Sequence, residues 1–173
     1  MRPASLRERY YVQSEPRDRT YEQLLGAALS ACEQFLFVDL PEPHFREEDT
    51  AFGPRARGVA DQLRGHLIAI DRTKAWPATT LGDYGPNVEP FARVHRYRLN
   101  AFSVEILSRS ARGLYEWTPP ELPLDLCLMR GDNDPWLVNI ALHEEAFLNL
   151  TSPEVVSRRS RRRFSVRLQR MPS

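Results

Sequence analysis

Two apolar runs, LDLCLM (residues 124–129) and WLVNIAL (136–142), are separated by the six residues RGDNDP. No other feature limits the fold as strongly. Each run is long enough for a strand and short for a buried helix. The separator is made of residues that favour turns: glycine reaches positive φ, Asp and Asn bond their own backbone, and proline presets φ. The pattern predicts an antiparallel hairpin with a longish connecting loop. AFLNL at 146–150 extends it to a three-stranded meander, with His143, Glu144 and Glu145 in the second turn. A chain with this segment builds its domain on an antiparallel sheet.

The remaining elements fit that frame. Thr20-x-x-Gln23 reads as a capping box, and Leu25, Leu29 and Cys32, widened by Leu24, Ala28 and Ala31, form a helical stripe behind it. FLFVDL at 35–40 is a buried strand. A second helix spans 54–64, with Ala56, Val59, Ala60 and Leu63 inward and Gly65 just past its end. HLIAI at 66–70 is a strand. VHRYRL at 94–99 alternates between two faces as a half-buried strand does. Asn100 caps a third helix over 101–111, with Phe102, Val104, Ile106 and Leu107 on its packed side. TPPELP at 118–123 reads as extended, because proline disfavours helix in the residue before it. The fold class is therefore α+β: a mainly antiparallel sheet of five to six strands with about three helices on one face. Residues 1–19 read as a flexible N-terminal arm, 20–151 as one globular domain and 152–173 as an Arg-rich tail.

Charge is unevenly spread. Seven of the 24 basic residues lie in Arg158–Ser173, which holds no acid, so 17 face 23 acids in the rest, about −6 by formal count. No apolar run nears the roughly 20 residues of a membrane span, and the first residues show no apolar core of a secretory signal. The expected compartment is cytoplasmic, with Cys32 and Cys127 reduced.

Several segments carry chemistry on paper. His143 with Glu144 or Glu145, and Asp132 or Asp134, would serve a hydrolase as general base and orienting carboxylate. The competing reading is a solvated turn, and the cluster lacks the second histidine of a zinc helix motif. Cys127, flanked by leucines, reads as a small core hydrophobe. Asp132-Asn133-Asp134 opens like a calcium loop but lacks the later glycine and glutamate. His44, Glu47 and Glu48 read as a solvated loop. No motif calls for a metal or cofactor. Lys74, Trp76 and Tyr84 mark a long inter-strand connection that reads either as a recognition surface or as a loop whose tryptophan folds back over the sheet. Arg158, Arg159, Arg161, Arg162 and Arg163 could grip phosphates, with affinity falling steeply with salt.

The phrases TYEQLL (20–25), WPATTL (76–81), RYRL (96–99), GLYEW (113–117), LPLDLC (122–127) and DPWLVNIALHEEAF (134–147) resemble a family of small bacterial proteins of unassigned function. The resemblance covers most of the chain between its two ends and implies no catalytic residues. The acidic body, the absence of a convincing catalytic constellation and the aromatic-bearing loop make a protein-interaction module, such as an immunity or accessory factor with a protein partner, the leading expectation. A hydrolase using His143 and a nucleic-acid-associated protein using the Arg158–Arg170 tail are the alternatives.

Overall fold

The computed structural model describes residues 7–41, 49–155 and 165–172. Its strands are β1 (Arg7–Val12), β2 (Gln34–Asp39), β3 (Leu67–Thr73), β4 (Ala75–Trp76), β5 (Thr79–Thr80) and β6 (Ala92–Arg98). They continue with β7 (Leu124–Gly131), β8 (Asp134–Ile140), β9 (Glu145–Thr151) and β10 (Leu168–Arg170). The helices are α1 (Arg19–Ala31), α2 (Pro54–Gln62) and α3 (Ala101–Ser110), and residues 152–155 are helical as well. Eight strands form one antiparallel sheet in the order β10-β1-β9-β8-β7-β2-β6-β3, and β4 and β5 make a separate two-stranded ribbon. The α+β class holds. The sheet is larger than the sequence implies.

The two added strands come from the two ends of the chain. The expected loose arm is an inner strand: β1 pairs with β9 from Arg7↔Thr151 to Tyr11↔Phe147 and with β10 across Tyr10↔Arg170. Tyr10 and Val12 are buried on the helix side of the sheet, and the charged neighbours Glu8 and Arg9 mask that period of two in the sequence. The far end of the tail is likewise part of the domain, since Val166 is buried and Leu168–Arg170 form a sheet edge. Arg158, Arg159, Arg161, Arg162 and Arg163 lie outside the described residues, as do His44, Glu47 and Glu48.

Helix α1 begins at Arg19 with Asp18 at its N-cap at a positive φ of 49°, and the expected capping box does not form. Its buried face is Tyr21, Leu24, Leu25 and Ala28, while Leu29 is exposed. A buried hydrogen-bond chain explains the rotation. Trp117 Nε1 donates to the Tyr21 hydroxyl at 3.0 Å, and that hydroxyl donates to the Leu107 carbonyl at 3.0 Å. Turning α1 to bury Leu29 would break both bonds. Helix α3 has the Asn100 cap, reinforced by Ser103 in a capping box. Phe102 stays exposed and stacks on His66 instead of joining the core.

The proline segment is a turn rather than extended chain: Leu122 N–H bonds back to Thr118 O at 3.0 Å, with a cis Pro119–Pro120 bond. Gly53 donates to Pro120 O at 2.8 Å, and an added Cβ at Gly53 would sit 2.8 Å from that oxygen. The β7–β8 connection is also tighter than expected. Gly131 pairs with Asp134, leaving only Asp132 and Asn133 outside the ladder.

Both faces of the sheet centre carry apolar residues. Phe35, Phe37, Leu126 and Leu128 face the main core under the helices, whereas Leu36, Val38, Cys127 and Met129 belong to a smaller cluster on the other face. Continuous apolar strands at 35–38 and 126–129 reflect burial on both sides. Deleting residues 1–12 is expected to destabilise the fold by at least about 3 kcal/mol, since Tyr10 and Val12 each contribute roughly 1.5–3 kcal/mol by burial. Urea unfolding checks this. A truncated chain as stable as the full one would restore the loose arm.

Candidate binding groove on the open sheet face

The face opposite the helices is covered only in part. After β3 the chain makes the β4–β5 ribbon, closed by Leu81 N–H to Lys74 O at 2.8 Å. Pro77 presets its turn, and Ala78 follows in left-handed backbone at φ 60°. The ribbon lays Trp76 against Leu124 and the rest of the smaller apolar cluster, where its ring is buried. Its indole N–H donates to Asp125 Oδ2 at 2.9 Å.

Asp125 is the residue whose role the sequence hides. It interrupts an apolar strand, is buried, and holds left-handed backbone at φ 55°. Asn and Asp reach that region more readily than most residues. Its second oxygen accepts the Ala141 N–H at 2.8 Å, tying β7 to the turn after β8. Burial raises the Asp125 carboxyl above the usual carboxylate range, and the Trp76 and Ala141 donors, with His143 nearby, pull it part of the way back.

Between the ribbon and the strands lies a groove of about 580 Å³. Leu36, Val94 and Met129 form its floor, and Trp76 and Pro77 form one wall. At the other side Arg96 is held between two acids: Nε donates to Asp71 Oδ2 and one terminal nitrogen to Asp132 Oδ1, each at 2.9 Å. Gln34 Nε2 also donates to Asp132 Oδ1 at 3.1 Å. Two carboxylates against one guanidinium leave this rim with a formal surplus of one negative charge. The side chains of Asp71 and Asp132 are 50% and 68% exposed, and that of Arg96 is 22% exposed.

The structure separates the residues singled out in the sequence. Trp76 lines the groove, Lys74 pairs with Glu89 at 3.7 Å beside a second concavity, and Tyr84 is exposed on the loop between the ribbon and β6. Lys74 and Trp76 thus line different concavities, and Tyr84 lines neither. His143 ends a short 3₁₀ turn, exposed, with exposed Glu144 at φ 53° and Glu145 opening β9. That turn is at the opposite end of β8 from Asp132–Asn133, and none of the three lines the groove. Cys127 is fully buried, its thiol pushed up to about 12 by burial, and Cys32 is raised by the same cause. Among the described residues no group of three or more metal-ligating side chains converges.

Comparison with protein-family models, curated proteins and solved structures finds no match in any of the three. The reading of this site rests on its own geometry.

Replacing Trp76 with phenylalanine keeps the ring but removes one donor from a buried carboxylate, at an expected cost of about 1–3 kcal/mol. The pH dependence has a defined sign. Because folding raises the Asp125 carboxyl, the native state binds that proton more tightly, and its contribution to stability increases as pH falls through the folded value toward about 3.9. Unfolding free energy of the native protein minus that of Asp125→Asn is expected to grow from pH about 7 to about 4. A difference that is flat or shrinks over that range contradicts the assignment.

Proposed function

We propose that this chain is a protein-interaction module, an immunity or accessory factor of the bacterial cytoplasm, that receives its partner in the open-face groove. The observation that carries the reading is the groove itself. A concave floor of the apolar residues Leu36, Val94 and Met129, each 3–5% exposed, lies beside a wall held in place by a buried hydrogen bond to Asp125. Concave, mainly apolar sites with a few fixed polar groups are the usual form of a binding site. The acidic balance of residues 1–157 suits a basic partner through complementary potential. A hydrolase reading has less support, since His143 stands exposed and apart from the groove. Among the described residues no helix is long and apolar enough to cross a membrane.

The test is capture of a stoichiometric protein partner from the source cell with the tagged full chain and two variants. Asn133→Arg places a bulky cation at the mouth of the groove, and Leu142→Arg alters the distant β8–β9 turn, where Leu142 is 66% exposed. The partner is expected with the native chain and Leu142→Arg, and to be lost with Asn133→Arg while the melting temperature is unchanged. Equal capture by all three, or no partner at all, contradicts the proposal.

A further inference from the structure

The groove reaches the edge of the sheet. Asp71 and Thr73 of β3 line it, and its floor continues across Val94 of β6, Leu36 of β2 and Met129 of β7. With strands about 4.8 Å apart, that path runs roughly 14 Å inward from the edge. β3 is the last strand in the sheet order, and among the described residues no strand pairs with its outer side. Natural sheet edges are usually blunted by charge, proline or a bulge. β3 has an irregularity between Leu67 and Ala69, yet it exposes Ile68 at 40% and Ile70 at 49%. Two exposed β-branched apolar side chains on an edge that no strand among the described residues covers suit an added strand.

The two faces of β3 set the chemistry such a strand needs. Ile70 stands opposite His95, which contacts Phe37 and Phe52 on the helix side of the sheet. Asp71 stands opposite Val94 and so faces the groove. An extended segment laid along β3 would alternate in the same way, one set of side chains beside Ile68 and Ile70 and the other over the groove. On the groove side Asp71 and Asp132 each give one oxygen to Arg96, and the second oxygen of each makes no hydrogen bond among the described residues.

Building on the interaction-module reading, we infer that the partner docks by adding an extended segment to the outer edge of β3. That segment alternates β-branched apolar residues with arginine or lysine, and the cation reaches over the groove to Asp71 and Asp132. Strand addition takes its affinity from main-chain hydrogen bonds and its specificity from alternate side chains. The surplus negative charge of the rim selects a cation there, and the exposed isoleucines select an apolar neighbour.

The experiment uses a blocked heptapeptide alternating valine and arginine and its citrulline counterpart, which keeps shape and loses charge. Each is titrated to millimolar concentration into the isotope-labelled full chain, followed by amide and indole NMR. The arginine peptide is expected to shift the amides of Leu67–Thr73 and the Trp76 indole. Its affinity is expected to fall about fivefold in Asp71→Asn and in Asp132→Asn, the upper range for an exposed ion pair. The citrulline peptide should bind native protein no better than the arginine peptide binds those variants. Equal binding of the two peptides, shifts confined to other surfaces, or no shift at all overturns the inference. Concentration-dependent broadening at β3 without peptide overturns it too, by making a second copy the occupant. If the peptide fails while capture still depends on Asn133, the interaction-module reading stands and edge docking falls.

Discussion

The open face of this protein depends on one hydrogen bond, from the Trp76 indole to the buried carboxylate of Asp125. Asp125 serves two partners at once. One oxygen holds the ribbon that follows β3, and the other holds the backbone of Ala141 beyond β8. An ionised carboxylate is costly to bury unless its oxygens are satisfied, so the two donors and the acid stabilise one arrangement together. Among the described residues the bond to Asp125 is the one hydrogen bond of the Trp76 side chain. Without it, the wall of the groove and its floor would collapse onto each other or open to water.

That constraint explains the asymmetry of the domain. The helix side is closed by α1 and α3 over a large aromatic core, with Tyr21 and Trp117 fixed by buried hydrogen bonds. The other side has a smaller cluster and a two-stranded ribbon as cover. Strands buried on both faces in the middle of the sheet become half-open toward β3, where Asp71 and Arg96 replace apolar neighbours. The transition from core to groove thus follows from how far the ribbon reaches.

Most of the fold is legible from period and turn chemistry. β2, β6, β7, β8 and β9 and all three main helices arise near where apolar spacing places them, and α3 begins at its expected Asn100 cap. Misreadings occur where a local pattern competes with tertiary contact. β1 looks polar because its outward positions are charged, though Tyr10 and Val12 keep the inward period. The stripe through Leu29 loses to Tyr21, whose hydroxyl finds partners distant in sequence. The site was less legible. Asp125 sits inside a hydrophobic run as if it were noise, and Arg96 reads as the solvent face of an alternating strand. Only the long-range pairing of β3 with β6, β6 with β2 and β2 with β7 brings Asp71, Arg96 and Asp132 together. The His143 cluster, conspicuous in sequence, is an exposed turn.

Hydrogen exchange of the Trp76 indole N–H in the native protein bears most directly on this account. The structure requires protection comparable to the amides of β2 and β7, because the donor is buried against Asp125 and opens only with the sheet face around it. An indole that exchanges as fast as an exposed tryptophan, while those strand amides stay protected, would show the ribbon unlatched and the groove without its wall.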